Sequence, residues 1–147
     1  MLSPSANSLL GNNLHLCKRY PSVLVLLIRG FFPNKAKALF RTRLARYEMH
    51  ELGETSLASQ VTLASGCFML VKTDALKKIE GFDKRYFLYF EDFDLSLRMS
   101  KLGKLVYAPN VKIIHAGGNA SKKGLWHMLN FVRSGLRFFS THGWKIF

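Results

Sequence analysis

Three acids that directly follow an aromatic run constrain this chain more than any other feature. The run Tyr86-Phe87-Leu88-Tyr89-Phe90 precedes Glu91, Asp92 and Asp94, and the pattern from Asp92 to Leu102 predicts a helix that Gly103 ends. A carboxylate beside apolar surface loses hydration, which raises its pKa. A raised pKa makes an aspartate a usable general base near neutral pH. Asp92 is therefore the leading candidate for a catalytic base.

The same acids also allow a simpler interpretation. Glu91 and Asp92 at the start of a helix would complement the helix dipole, and the residues alone leave that alternative open. Neighbouring residues on a helix point about 100° apart, so this pair does not flank one glycosidic bond as the two carboxylates of a hydrolase do. The spacing favours one base and one orienting acid.

Asp92, Phe93 and Asp94 also match a DxD pattern, which holds a divalent ion in many transferases. Such a motif usually lies in a loop after a strand, whereas this one lies inside a helical pattern. Asp94 is four residues before Arg98, which is the spacing of an ion pair on one face of a helix. The pattern therefore predicts a structural Asp94 and no metal at this motif.

The charge of the chain is strongly positive and unevenly distributed. The 147 residues carry a net charge of +13, and all nine acids lie between Glu48 and Asp94. This balance favours phosphate-rich partners: nucleic acid, an anionic membrane surface, or nucleotide and lipid diphosphates. No nucleic-acid-binding module is visible, and the aromatic residues cluster near acids, so nucleic acid is the least favoured of these partners.

The cysteines argue against a zinc site, and the apolar runs argue against a membrane-spanning segment. Cys17 and Cys67 are far apart and lack zinc-ligand spacing, so a zinc site is not expected. One disulfide is possible, but two reduced thiols, with Cys67 in an apolar strand of the core, are the simpler interpretation. The apolar run from Val23 to Ile28 is too short to cross a membrane. Contact with a membrane would have to be peripheral.

The length and the hydrophobic periodicity predict one α/β domain, a small sheet flanked by helices. Three parts are expected: a basic helical segment (1–59), a central core (60–121) and a basic amphipathic helix (122–147). The first 13 residues are rich in Ser, Asn and Gly and predict a loop. The expected helices are a stretch from Pro21 to Phe32, then Asn34–Tyr47, Asp74–Glu80 capped by Thr73, Asp92–Leu102 and Lys122–Ser140. The expected strands are Val61–Ala64, Cys67–Lys72, Lys104–Ala108 and Val111–His115.

The last helix has an apolar stripe whose partner the sequence does not identify. The stripe consists of Leu125, Leu129, Val132, Leu136 and Phe139. Arg133 and Arg137, four residues apart, share another side. A basic amphipathic helix can lie on an anionic membrane, or it can turn its apolar stripe to an ordinary core. Both interpretations stay open.

The histidines carry less information. His115 ends the apolar stretch Val111–Ile114 and precedes Gly117-Gly118, so it is either a structural residue or a ligand for a metal or a phosphate. The other histidines, including His127 and His142, show no shared spacing and are expected at the surface.

In combination, four motifs resemble the C-terminal, acceptor-binding half of a family 2 GT-A glycosyltransferase, and more narrowly its rhamnosyltransferase-like members, which build bacterial surface polysaccharides. These motifs are Ser65-Gly66-Cys67-Phe68-Met69-Leu70-Val71, Gly81-Phe82-Asp83, Tyr89-Phe90-Glu91-Asp92-Phe93-Asp94-Leu95 and His115-Ala116-Gly117-Gly118. The resemblance extends from about Leu14 to the end of the chain.

The resemblance implies inverting transfer of a sugar from a nucleotide-sugar to a hydroxyl of a saccharide acceptor that is expected to be lipid-linked. It implies a base at Asp92, an acceptor site that includes Glu91, and a metal (Mg or Mn) near His115. Gly66 and Phe90 are expected beside the acceptor. Position alone suggests that Lys122 and Lys123 face the diphosphate.

One departure from the family pattern limits these expectations. No acid precedes Glu48, so the donor-binding half with its DxD motif is not present in this sequence. The chain is expected to supply the base and the acceptor half, not to be active alone, and to need a donor-binding partner or to form a homo-oligomer. A peripheral position at the cytoplasmic face of the membrane is expected. The alternative is a truncated, non-catalytic remnant that binds a membrane or a partner.

Overall fold

The structure is a computed structural model that describes residues 1–116 and 124–147. The strands are β1 (Leu2–Asn7), β2 (Cys17–Lys18), β3 (Ser59–Gln60), β4 (Leu63–Ala64) and β5 (Val106–Ile114). The helices are α1 (Val23–Phe31), α2 (Asn34–Leu39), α3 (Arg41–Tyr47), α4 (Thr73–Lys78), α5 (Glu91–Ser100) and α6 (Leu125–His142). The predicted class, a mixed α/β fold with a small sheet flanked by helices, is confirmed.

The described strands form two small sheets. One sheet has the order β1-β5-β3, with β1 parallel and β3 antiparallel to β5, and β2 pairs antiparallel with β4. The register of β1 against β5 shifts between Pro4 and Ser5, which pair with Ala108 and Lys112. This shift accommodates Pro109, which cannot donate to a ladder. The two strands predicted on either side of Pro109-Asn110 are therefore one strand.

The expectation of a loop at the start of the chain is wrong. Residues 2–7 form β1, and the side chains of Ser3, Pro4, Ser5 and Ala6 are buried against the rest of the fold. Local composition predicts turns for such polar residues. The parallel partner β5 lies about a hundred residues later in the sequence, so no local pattern reveals it.

The helices near the beginning of the chain follow local signals closely. Oγ of Ser22 accepts a hydrogen bond from the Val25 N–H at 3.2 Å and caps α1, which ends two residues before Pro33. The single helix expected from Asn34 to Tyr47 is divided at Phe40, whose φ of −109° and ψ of 17° leave the helical region.

The middle of the chain has less regular structure than predicted. Within Cys67–Lys72 the pairing is confined to Leu70, whose N–H and C=O bond Leu2 at 3.1 and 2.8 Å. Thr73 is the first residue of α4 and provides no side-chain cap. This segment therefore joins the edge of the sheet through one residue and leaves its other side chains free for packing.

Two apolar clusters hold the fold together. The first lies under the sheet and comprises Cys17, Met49, Leu52, Val61, Ala64, Leu105 and Tyr107. The second joins α1, α3, the aromatic run and α6, and comprises Val25, Leu26, Tyr47, Tyr86, Phe90, Phe138 and Phe139. Gly135 of α6 lies close to Phe90, since a Cβ at this position would be 3.4 Å from the ring. The second cluster therefore fixes α6 against the aromatic run.

Helix α6 packs on the protein with a side that excludes most of the apolar stripe, which decides between the two interpretations of its packing. The buried or half-buried side consists of Phe131, Ser134, Gly135, Phe138 and His142. The expected stripe faces outward, except for Phe139, which is buried and stacks on Trp144. In the described ranges, every helix is too short or too polar to span a bilayer.

Candidate active site

The aromatic run enters α5 through two residues in the left-handed region. Tyr89 and Phe90 have φ values of 68° and 63°, an arrangement that costs a bulky side chain free energy. The Phe90 ring, which is 4% exposed, anchors the turn in the second apolar cluster. The turn therefore fixes where the first residues of α5, Glu91 and Asp92, emerge.

Two backbone amides hold the carboxylate of Asp92. The Gly66 N–H donates to Oδ2 at 2.9 Å, and the Phe93 N–H donates to Oδ1 at 2.9 Å. The first bond comes from the turn after β4, across a sequence separation of 26 residues. The carboxylate thus has one orientation, which both the helix and the turn determine.

The surroundings of Asp92 favour a proton acceptor at neutral pH. The residue is half-buried, and loss of hydration raises the pKa of its carboxyl from 3.8 to about 6. The negative charge of Glu91 also raises this pKa, whereas the hydrogen bonds from Gly66 and Phe93 lower it. The pKa therefore lies where a carboxylate is ionised at pH 7 and still basic enough to take a proton.

A buried serine connects the site to the sheet. Ser96 Oγ accepts a hydrogen bond from the Ala64 N–H at 3.1 Å and donates one to the Asp92 carbonyl at 2.7 Å. The side chain of Ser96 has no exposed surface. It therefore fixes the distance between β4, which leads to Gly66, and the first turn of α5.

Glu91 lies beside the candidate base and keeps an unused acceptor. Its Oε2 atom is shielded from solvent and has no hydrogen-bond partner among residues 1–116 and 124–147. A shielded carboxylate oxygen without a donor favours a ligand that brings one. A hydroxyl group has the donor that both Glu91 and Asp92 can accept.

The structural role predicted for Asp94 agrees with the geometry. Its carboxylate, 1% exposed, accepts hydrogen bonds from Arg98 Nε and faces His142 Nε2, each at 2.7 Å. Arg98 also donates to the carbonyls of Ile79 and Gly81, each at 2.8 Å. Asp94 therefore joins α5 to the end of α6 and to the turn after α4.

The sequence missed the part that His142 plays. It was expected at the surface, but its side chain is 10% exposed and contacts Asp94. The two residues are 48 positions apart, so their spacing contains no signal.

Of the two residues expected beside the acceptor, Phe90 has a different role. The ring of Phe90 packs among Phe93, Phe131 and Phe138, so it belongs to the core and offers no surface to an acceptor. Gly66 does lie at the site, where its backbone holds Asp92. Its missing side chain matters, because a Cβ there would be 3.3 Å from the Asp92 Cβ.

His115 does not form a metal site with other described side chains. Its backbone N–H donates to the Asn7 carbonyl at 2.9 Å, directly after β5. Within 1–116 and 124–147, no three His, Cys, Asp or Glu side chains gather closely enough to hold a metal ion. Lys122, Lys123 and the Gly117-Gly118 pair lie outside the described residues.

The thiols differ from the prediction in one respect. Both cysteines are free, and Cys17 is buried, but Cys67 is exposed and does not belong to the core. Partial burial nevertheless raises the pKa of the Cys67 thiol. A thiol with a raised pKa is a poor nucleophile at neutral pH, so Asp92 stays the leading reactive group.

Two kinds of curated protein are similar to part of this chain. The chain is 46% identical over 52 residues to N-acetylglucosaminyl-diphospho-decaprenol L-rhamnosyltransferase of Mycobacterium tuberculosis, a match that covers 35% of this chain and 17% of that protein. It is 38% identical over 79 residues to Rhamnosyltransferase WbbL of Escherichia coli, covering 50% of this chain and 30% of that protein.

The chain is similar to rhamnosyltransferases over part of its length. It spans less than a third of each of these relatives. No family model and no solved structure matches the chain. The similarity supports glycosyl transfer as the general class of chemistry, and the finer assignments depend on the site.

Proposed function

We propose that this chain carries the base and the acceptor side of an inverting family 2 glycosyltransferase with a GT-A fold. The observation that supports this most directly is the carboxylate of Asp92, which two backbone amides orient and whose pKa partial burial raises to about 6. A helix-start acid that only complements the dipole needs neither the bond from Gly66 nor this loss of hydration.

In the proposed reaction, Asp92 accepts the proton of an acceptor hydroxyl as its oxygen attacks the anomeric carbon of the donor. The new carbon–oxygen bond forms on the face opposite the leaving group, and the bond from the anomeric carbon to the diphosphate breaks. The nucleotide diphosphate leaves with the electron pair of that bond. Because attack and departure take place on opposite faces of the anomeric carbon, the configuration inverts. Glu91 Oε2 accepts a second hydrogen bond from the acceptor and orients it.

The proposed substrates follow from the similar proteins. Their names indicate transfer of rhamnose. The mycobacterial name specifies L-rhamnose and an N-acetylglucosaminyl-diphospho-decaprenol acceptor. We therefore propose a nucleotide-linked L-rhamnose donor and a lipid-diphosphate-linked saccharide acceptor, with the reaction at the cytoplasmic face of the membrane in surface polysaccharide synthesis. A Mg²⁺ or Mn²⁺ ion near His115 would need further ligands, and the described side chains do not supply them. The reaction is therefore written without a step that depends on a metal.

The second candidate function is the non-catalytic one, a chain that binds a membrane or a partner. It is favoured by the outward-facing apolar stripe of α6. The two candidates differ at Asp92. Catalysis requires its carboxylate, whereas a binding role that uses α6 does not.

The test measures transfer of radiolabelled rhamnose from the nucleotide-sugar to a polyprenyl-diphosphate saccharide by the purified full chain. The same assay is repeated with the chain added to membranes that contain the other components of polysaccharide synthesis. Asp92→Asn is expected to lower turnover by about 10²- to 10⁴-fold, the usual contribution of a general base. Asp74→Asn is the matched control, because Asp74 is exposed on α4.

Unchanged turnover of Asp92→Asn would remove the base assignment. If neither preparation transfers sugar, binding of the acceptor is measured by saturation-transfer NMR with the full chain. Acceptor binding that Glu91→Gln weakens and Asp74→Asn does not would support the acceptor site. Absence of both turnover and binding would leave the non-catalytic candidate.

A further inference from the structure

The outer side of α6 carries an apolar stripe with no cover among the described residues. Leu125, Leu129, Val132 and Leu136 are between 44% and 66% exposed. They follow one another at intervals of four, three and four residues and therefore lie along a single line on the helix. A soluble chain normally turns such a line to its core, but here the opposite side of α6 fills that role.

The rim of this stripe is basic. Arg133 and Arg137 lie along one edge, where they line a shallow groove of about 670 Å³ together with Leu129, Val132 and Leu136. Arg85 lines the same groove and is paired with Asp83. Arg133 and Arg137 have no acidic partner in the described ranges, and the sequence contains no acid after Asp94. The surface that covers this groove therefore has to be apolar and negatively charged.

A second copy of the chain does not have that chemistry. A symmetric dimer through this face would bring the arginines of both copies together, in a chain whose net charge is already +13. An anionic lipid surface combines acyl chains for the leucines with phosphates for the arginines. Trp126, 54% exposed near the first turn of α6, has the amphipathic ring that favours the interface between water and lipid.

We propose that α6 lies flat on an anionic membrane surface, with Leu125, Leu129, Val132 and Leu136 in the boundary between headgroups and acyl chains and with Arg133 and Arg137 on lipid phosphates. The helix does not span the bilayer, because its other side is occupied by the protein core.

The helix that carries this docking surface contacts the aromatic run that precedes the candidate base. The hydroxyl of Ser134 donates to the Leu88 carbonyl at 2.7 Å, Tyr89 Oη and His127 Nδ1 are 3.1 Å apart, and the rings of Phe87 and Trp126 meet edge to face. These contacts fix the aromatic run, and through it Asp92, to the docked helix. The docking of α6 on a membrane does not depend on the proposed function. Only the further point, that docking brings the base to an acceptor held in the membrane, rests on that function.

The test is co-sedimentation of the full chain with vesicles of phosphatidylcholine alone and of phosphatidylcholine mixed with phosphatidylglycerol. Binding is expected to the mixed vesicles and to weaken as salt is raised. Each of Arg133→Gln and Arg137→Gln is expected to lower the partition coefficient about fivefold, the contribution of one basic residue near an anionic surface. Leu129→Ser with Leu136→Ser is expected to weaken binding to the mixed vesicles at all salt concentrations.

Controls of the same chemistry are available away from α6. Lys101→Gln removes an exposed charge at the end of α5, and Leu57→Ser removes a leucine that is 86% exposed in a loop. Both are expected to bind as the unaltered chain does, and circular dichroism checks that every variant is folded. Asp92→Asn is also expected to keep full vesicle binding, so failure of docking and failure of the proposed catalysis are distinguishable.

Three results would overturn the proposal. These are equal binding to neutral and mixed vesicles, unchanged binding of the α6 variants, and no binding to either kind of vesicle at low salt. Light scattering after size-exclusion chromatography supplies a further check. A dimer that the leucine substitutions abolish would assign the face to a second copy and contradict docking to lipid.

Discussion

Gly66 donates its backbone N–H to Oδ2 of Asp92 at 2.9 Å, and a Cβ added to this glycine would lie 3.3 Å from the Cβ of Asp92. The turn after β4 and the first turn of α5 are therefore in van der Waals contact at the candidate base. Because of this close approach, the position of the carboxylate depends on position 66 having no side chain. The consequences of that coupling are measurable.

Gly66→Ala is expected to displace the Asp92 carboxylate by a few tenths of an ångström and to weaken the bond from the amide. Since that bond stabilises the ionised form, its loss raises the pKa of Asp92 further. Turnover, which requires the ionised carboxylate, is expected to rise with pH around 6 in the unaltered chain and around a higher pH in the variant. The measurement is the pH profile of kcat/KM.

Gly103→Ala is the control for that substitution, because a Cβ at Gly103 meets no atom within 4 Å. Its pH profile is expected to match that of the unaltered chain. An identical profile for Gly66→Ala would show that the bond to Asp92 does not tune the base.

Asp92→Asn is expected to remove a pH dependence of folding stability while it slows catalysis. The folded-state pKa of Asp92 is raised above its unfolded value of 3.8, so its protonated form favours folding below pH about 4, and that contribution is lost as pH rises through about 6. The neutral amide has no such dependence, so the stability of Asp92→Asn relative to the unaltered chain is expected to rise by about 1–3 kcal/mol between pH about 4 and pH 7. A cost that does not vary with pH is added, because the amide nitrogen does not accept a bond from Gly66 or Phe93. Urea denaturation across this pH range measures the difference.

In that experiment the difference in stability between Asp92→Asn and the unaltered chain should stop changing below pH about 4, where the carboxyl of Asp92 is itself neutral. Asp74→Asn, at an exposed position, should show no such pH dependence. The same pH dependence in Asp92→Asn and the unaltered chain would contradict the assigned burial of the charge.

Two ion pairs of equal length are expected to differ greatly in their contribution to stability. Asp94 with Arg98 and Asp83 with Arg85 are both 2.7 Å apart. The acid and the arginine are 1% and 23% exposed in the first pair, but 17% and 62% exposed in the second. Asp94→Asn leaves a half-buried guanidinium without its counter-charge and is expected to cost about 3–5 kcal/mol. Asp83→Asn is expected to cost at most about 1 kcal/mol.

Thermal and urea denaturation of both variants checks this contrast. Similar losses in the two variants would mean that burial does not determine the strength of these pairs, and that Asp94 is not the connection between α5 and α6.

Ser96→Ala is expected to destabilise the chain by about 1–3 kcal/mol, because the buried N–H of Ala64 loses its acceptor. Ser100→Ala removes a hydroxyl from the exposed end of the same helix, where the expected change is within about 0.5 kcal/mol. Hydrogen exchange at Ala64 supplies a local measurement. Slow exchange of that amide in Ser96→Ala would show that the bridge between β4 and α5 is not needed.

The sequence correctly predicted the features that depend on residues close together in the chain. The end of α1 before Pro33, the start of α5 after the aromatic run and the Asp94–Arg98 pair each follow from residues a few positions apart. The raised pKa of Asp92 was also predictable, because apolar residues directly precede it.

The features that the sequence did not predict depend on partners distant in the chain. The pairing of β1 with β5, the contact of His142 with Asp94 and the burial of Phe90 under Gly135 each join segments dozens of residues apart. The orientation of α6 is the clearest case. Periodicity identified its apolar stripe, but Phe131 and Phe138 on the other side decided which face meets the core.

The left-handed pair Tyr89 and Phe90 has a consequence for laboratory evolution of this chain. Bulky L-residues in that conformation cost about 1–2 kcal/mol each, so glycine or asparagine at position 89 relieves the cost. Selection for heat resistance alone should accumulate such replacements. Selection for sugar transfer should discard them, because a relaxed turn no longer aims the two acids that follow it. Lineages kept under these two regimes should diverge first at this turn.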